Sequence, residues 1–342
     1  MKKTTILATG LTALALGAQA QSTVQLAGLV DVYAGSMRMA GDAVSKSVVG
    51  SGGLTTSWWG MTGSEDLGGG LKAGFALTAF FRADAGEMGR FATDTLFSRD
   101  ANVSLSGGFG TVNLGRGKAP NFLPTVVFNP FGDSFTFSPL VLHADVSLFN
   151  GTGWGATTPS DTGWSNQITY TTPDMAGLKA NVHYQLGELA APNEGKHNVG
   201  LNLMYSSGPL GLTAFWEKDQ VANPVSAALT GGATRTDWML GGSYDAAVVK
   251  GFITYGKSSS DAVGVASKTT TSVGASVPVG GGKILAAWAK TSVDAGNTRD
   301  TETLGYDYNL SKRTDVYAML MNDKITTFAS GTSLGLGVRH RF

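Results

Sequence analysis

Four histidines, His143, His183, His197 and His340, are the only imidazoles in the chain, and there is no cysteine. None of the four falls in H-x-x-x-H or another spaced catalytic motif. Dispersed histidines without thiolates give no metal-ligand cluster. No glycine loop leads from a strand into a helix, which leaves a phosphate cradle without support. Lysine plus arginine and aspartate plus glutamate each number 25, so nothing in the net charge attracts nucleic acid. Catalytic residues, metal and cofactor are therefore all read as none, although a dyad assembled only in space stays open. Any chemistry left to this chain lies in where its few charges stand.

The elements that would position those charges begin after an export signal. Lys2 and Lys3 precede an apolar run from Ile6 to Gly17, and Ala18-Gln19-Ala20 has the A-x-A form of a cleavage site. Residues 1–20 are read as a cleaved signal peptide and residues 21–342 as one domain. A short buried helix is the other reading of that run. No apolar run of 18 residues follows, so no helical span is expected. Hydrophobic residues make up 42% of the chain, too many for a disordered one, while charged residues make up only 15%.

Residues 21–342 alternate with period 2. Leu178, Ala180, Val182, Tyr184 and Leu186 are interleaved with Lys179, Asn181, His183 and Gln185. Leu334, Leu336, Val338, His340 and Phe342 alternate in the same way with glycine, serine and arginine. Tight glycine turns, such as Leu67-Gly68-Gly69-Gly70, take turns with long connections at 36–56, 83–96, 120–161 and 221–235. About sixteen segments can be counted. Short and long connections in alternation, with an even strand number, predict an all-β, 16-stranded antiparallel transmembrane β-barrel with short periplasmic turns. A soluble sandwich also alternates, but its outer face is usually rich in lysine and glutamate. Here the polar face is mostly glycine, serine, threonine and asparagine, with Trp216, Trp238, Tyr255 and Trp288 in or beside strands as interfacial girdles require.

Several ordered blocks then carry a resemblance. Val24-Gln25-Leu26-Ala27-Gly28-Leu29-Val30-Asp31 opens the set, and Gly63-Ser64-Glu65-Asp66-Leu67-Gly68-Gly69-Gly70-Leu71-Lys72-Ala73 is its strongest member. Val103 to Arg116, Ile168 to Pro173, Gly242-Ser243-Tyr244-Asp245 and Leu336 to Phe342 follow in order. Together they resemble the Gram-negative general porins of the β-proteobacterial type, a 16-stranded trimeric family. The resemblance implies an integral outer-membrane barrel whose third external loop, residues 120–161, folds inward. It implies a water-filled channel for passive diffusion of small hydrophilic solutes and ions. It also implies a homotrimer in outer-membrane lipid and a C-terminal strand, with Val338 and Phe342, read by the barrel-assembly machinery.

The same resemblance nominates the pore residues. Asn129-Pro130-Phe131-Gly132-Asp133 looks like the family's loop tip, which makes Asp133 the acidic side of the constriction, or a turn cap. Arg99 and Arg116 match wall positions, Lys118 shares the parity of Arg116, and Arg82 lies on the polar parity of its strand. Strict alternation puts Arg99 with Val103 and Leu105 on the lipid side, so a bulge would be needed there. Trp58 stands where the family commonly has arginine, and Trp164 stands near another such position. Two indoles in place of two cations predict a pore less anion-selective than usual, or one narrowed for semi-polar solutes. Membership in the girdle or the trimer contact is the other reading of both tryptophans. An adhesive surface barrel with an incidental channel is the main rival, and a barrel hydrolase the lesser one. The phenylalanines of residues 120–161 suit packing inside a barrel better than display.

Overall fold

The computed structural model of the chain describes residues 23–92, 94–144, 163–223, 227–229 and 232–342. The expected signal at 1–20 and residues 145–162 of the third long connection lie outside that set. Among the described residues, alternation becomes one closed antiparallel barrel of sixteen strands. The first is β1, Thr23–Met37, followed by β2, which is broken into Lys46–Ser51 and Trp58–Gly68. Then come β3 Leu71–Arg82, β4 Asp100–Gly107, β5 Gly110–Lys118, β6 Gly163–Thr171 and β7 Leu178–Leu186. Next are β8 His197–Ser207, β9 Leu210–Asp219, β10 Arg235–Asp245, β11 Lys250–Ser260 and β12 Lys268–Val279. The last four are β13 Gly282–Val293, β14 Thr298–Asn309, β15 Thr314–Ile325 and β16 Gly331–Arg341. Closure comes from β1 pairing with β16, from Leu29 opposite Arg341 to Ser36 opposite Leu334.

The alternation separates two faces. On β15, Ala318 and Leu320 are exposed while Tyr317, Met319 and Met321 are buried. The outward rows of neighbouring strands are equally apolar, with Leu304, Leu320 and Leu336 about half exposed or more. A sheet without edges satisfies every ladder hydrogen bond, and its bare apolar exterior suits hydrocarbon rather than water. That exterior decides for the barrel over the sandwich.

Two short helices stand in the connection from β5 to β6: α1, Phe122–Val127, and α2, Pro139–His143. Proline at the first position and Ser138 before it start α2, the Ser138 hydroxyl accepting from the Val141 amide. Between the helices, Asn129 Nδ2 donates to the Thr125 and Gly132 carbonyls, and its Oδ1 accepts from the Phe131 amide. Phe131, Phe137 and Leu142 of this segment share one buried cluster with Tyr33, Leu285, Met319 and Met321 of the wall. His143 Nδ1 and Nε2 bond the hydroxyls of Thr291 and Thr301, at 3.0 and 2.7 Å. Burial holds this imidazole well below its ordinary range, so it sits there neutral.

Candidate functional site

The break in β2 builds the site. Between its two segments the chain turns inward at residues 52–57, and the buried Asp31 carboxylate accepts from the amides of Gly53, Leu54 and Thr55. Tyr317 Oη also donates to Asp31, which fixes the excursion to β15. At its tip, Thr55 Oγ1 donates to Asp133 Oδ1 at 3.0 Å and accepts from Arg339 Nη1 at 2.8 Å. One hydroxyl therefore joins an acid on the β5–β6 connection to a cation on the final strand. Arg339 also donates to Asp315 and Asp307, and Arg341 to Asp315. Its fork is held at three points, which fixes where its charge stands.

A cavity of about 300 Å³ opens beside this trio, lined by Asp133, Phe131, Lys250, Lys283, Asp307 and Arg339. Lys283 and Asp307 are directly opposite in the ladder, and Lys250 lies near the Phe252 ring. Burial pushes the Asp133 carboxyl above its ordinary range, against the pull of the Thr55 hydrogen bond, Arg339 and Arg99. Arg99 and Arg339 thus both act on Asp133 from the wall.

The other sequence-nominated residues divide. Arg99 lies in a bend just before β4, so the alternation of that strand does not govern it and no bulge is needed. Its guanidinium lies 3.9 Å from the Trp58 ring centroid and 3.2 Å from Asp100 Oδ2. Trp58 therefore faces inward as a platform for that cation, while Trp59 is outward. Lys118 reaches Asp100 at 3.7 Å, and Arg82 pairs with Glu87.

Arg116 and Trp164 are both buried, by different routes. Strict alternation from Val112 and Leu114 would send Arg116 outward, and from Ile168 and Tyr170 would send Trp164 outward. The register slips between Gly115 and Gly117, so that Gly115 opposes Gln167 but Gly117 opposes Trp164. Gly115 has φ +119°, and a Cβ there would meet the Ala101 carbonyl at 2.4 Å. The extra residue lies on β6, so the slip reverses the parity of Trp164 and turns it in, while Arg116 keeps its place opposite Ala101. Arg116 is buried and donates to the Ser98 and Gly163 carbonyls and to Ser165 Oγ. Trp164 is fully buried against the His183 ring, with no surface left to face water.

The space beside Gly28 is taken from within the chain. A Cβ there would meet the Phe342 ring at 2.3 Å, so the terminal aromatic of the same chain fills that space. Phe342 and Gly28 also exchange backbone hydrogen bonds, at 3.0 and 3.2 Å, which places Phe342 at the seam of the barrel. Val338 is outward and about half exposed.

Sequence reasoning missed Asp31, Thr55, Arg339, Lys250 and Lys283. Asp31 and Arg339 fall in blocks quoted for the resemblance, and their inward parity was readable. Cross-strand pairing also gathers Glu217, Asp219 and Asp237 within 4.8 Å. Arg235 pairs with Asp237, and Asn121 Nδ2 donates to Glu217.

Comparison with known proteins bears on the whole chain. The family model for Gram-negative porins matches residues 4–327. Outer membrane porin protein 32 of Delftia acidovorans is 32% identical over 372 residues that cover 100% of both chains. Among solved structures, the anion-selective porin from Comamonas acidovorans matches with a TM-score of 0.78 at 28% identity, over 94% of this chain and 100% of that one. The trimer form of in-vitro folded OmpT from Vibrio cholerae shares the fold, with a TM-score of 0.67 at 16% identity, over 94% of this chain and 99% of that one.

Proposed function

The chain belongs to the Gram-negative porin family, and on that premise we propose how solutes pass through it. It is an outer-membrane β-barrel channel. Small hydrophilic solutes and ions cross by passive diffusion, with no bond made and no energy coupled. The β5–β6 connection folds into the lumen as the constriction. Support for this comes from its side-chain bonds to walls on several sides: Thr55 from β2, Glu217 from β9, Thr291 and Thr301 from β13 and β14.

The observation that carries the reading is the Asp133–Thr55–Arg339 bridge beside an open cavity. Opposed fixed charges across a water-filled gap orient a solute and select among ions. The lining set is Asp133 with Arg339, Lys250, Lys283, Arg99 and Trp58; Arg82 and Lys118 stand on the approach. Arg116 and Trp164 belong to the packing of the wall. Asp133 and Asp307 offset part of the basic side, which favours weak anion selectivity. The subunits form a homotrimer, and the strand carrying Val338 and Phe342 is the segment offered to the barrel-assembly machinery.

The test is reconstitution of the heat-resistant oligomer into a planar bilayer with a salt gradient across it. Step conductances with a reversal potential of modest anion sign are expected. Absence of any step would sink the channel reading, and strong anion selectivity would sink the weaker claim.

A further inference from the structure

One cluster of charged side chains has no part in the cavity beside Asp133. Glu217 on β9 stands directly opposite Asp237 on β10, and Asp219 directly opposite Arg235. Glu217 and Asp219 have no exposed surface, and Asp237 keeps 3%. One oxygen from each of the three acids falls within 4.8 Å of the other two. Carboxylates directly opposite in a ladder repel, and buried ones are poorly screened. Arg235 pairs with Asp237, and Lys268 acts on the same acid. Lys257 is near but stands on the outward parity of β11. Two cations against three acids leave one negative charge over.

A second observation comes from the β5–β6 connection. Asn121 stands just before α1, keeps 5% of its surface, and donates from Nδ2 to Glu217 Oε1 at 3.0 Å. Its own Oδ1 and the Oε2 of Glu217 have no hydrogen-bond partner among the described residues. Asn121, Glu217 and Asp237 line a cavity of about 50 Å³, room for about three water molecules. A buried acceptor without a donor is costly, and two of them beside an excess negative charge call for a cation. Three carboxylates and an amide carbonyl form an all-oxygen set, which a hard divalent cation takes. Histidine and cysteine counts do not bear on such a set. Oxygens within 4.8 Å of one another can share one ion at bonds of about 2.4 Å. Calcium accepts irregular shells of about six to eight oxygens, whereas magnesium demands a near-ideal octahedron. Acids fixed by two strands and a carbonyl fixed by a loop offer the irregular kind, and water in the cavity completes it.

We propose that Glu217, Asp219, Asp237 and the Asn121 side-chain carbonyl bind a divalent cation of calcium size. The ion ties the start of the β5–β6 connection to the wall at β9 and β10, on a side of the barrel that the Thr55–Asp133 contact does not reach. It acts on the stability of that connection and takes no part in the passage of solutes.

The experiment uses the full-length protein in detergent, stripped with EDTA and dialysed into metal-free buffer. Isothermal calorimetry with calcium chloride should give one saturable site per chain, with magnesium chloride at least about tenfold weaker. Glu217→Gln should weaken calcium binding by at least about tenfold, and Asn121→Ala, which keeps every acid, by severalfold. Calcium should also raise the temperature at which the folded band converts on a semi-native gel. That gain should persist in Asp66→Asn, a change at an exposed turn, and vanish in Glu217→Gln. No saturable site in the wild type, undiminished binding in Glu217→Gln, or a preference for magnesium overturns the proposal. Should Glu217→Gln fail to fold, Asn121→Ala carries the same contrast. If EDTA changes nothing and acidification alone raises heat stability, a proton joins the acids in place of a metal, and the proposal falls.

Discussion

Arg299 and Arg339 are both inner-face arginines held by aspartates of β15, one toward each end of the barrel, yet they belong to different kinds of site. Arg299 has no exposed surface, and its Nε and Nη2 grip Asp323 at 2.8 and 3.2 Å, while Nη1 lies 3.5 Å from the Leu142 carbonyl of α2. Arg339 keeps 13% of its side chain accessible, stands over the cavity beside Asp133, and shares its donors among Thr55, Asp315 and Asp307. Both are cations on the inside of a barrel, but only Arg339 stands over the open cavity beside Asp133. The number of arginines on a wall therefore says little about its field; access to water decides which of them act.

The comparison breaks most readily at Arg299. Arg299→Gln leaves the buried Asp323 uncompensated, though Thr301 and the Ala40 amide still bond it. Losing one member of a buried pair costs about 3–5 kcal/mol. The temperature at which the folded band converts to the unfolded one on a semi-native gel should drop sharply, with ion selectivity close to wild type in whatever folds. Unchanged heat stability would show that Arg299 is not the anchor of α2. At Arg339 the order of effects reverses. Arg339→Gln should move the reversal potential toward cations by a severalfold change in permeability ratio, with the smaller loss of stability expected of a partly hydrated pair. A selectivity indistinguishable from wild type would remove Arg339 from the constriction.

Much of this architecture was legible in the chain. Period-2 segments and alternating connection lengths gave the strand number and closure, because a barrel wall repeats one rule at every residue. The resemblance of Asn129-Pro130-Phe131-Gly132-Asp133 to the family's loop tip nominates Asp133, with a turn cap as the other reading. What the period could not give is where the period fails. The slip opposite Gly115–Gly117 turns Trp164 inward, and the six-residue break in β2 carries Thr55 to the site. Arg99 escaped its strand's parity by preceding the strand. Arg339 was hidden differently: its parity was plain, but its importance depends on Asp133 approaching from a segment more than 200 positions away in the chain. Local rules fix which face a residue takes, whereas a site between a loop and a wall is fixed by the closure of the whole barrel.

A milder perturbation titrates Asp133 without changing the sequence. Burial raises its carboxyl above the ordinary value near ~4, so acidification neutralises it before an exposed aspartate would lose its charge. The sign follows: the acid's negative charge is present above its raised pKa and lost as the pH falls through it. Cation permeability should decline across that interval and anion preference rise. Asp133→Asn should show the acid-side selectivity already at neutral pH and lack this step. If wild type and Asp133→Asn give superimposable reversal potentials from pH 4 to 8, Asp133 does not face the permeating ions.

The smallest effect is expected at Trp58, and it separates a cation's presence from its position. The Arg99 guanidinium rests 3.9 Å from the indole centroid and also pairs with Asp100, so removing the ring leaves the charge in place but frees its orientation. A partly exposed stack of this kind is worth about 0.5–1 kcal/mol. Trp58→Ala should therefore barely change heat stability. It should raise conductance modestly, because a bulky inward ring is gone, and should increase current noise as Arg99 samples more rotamers. Trp58→Phe keeps a ring face and should restore the quieter trace. If alanine and phenylalanine behave alike, the indole acts only as bulk; if only alanine is noisy, the ring holds Arg99 where Asp133 can feel it.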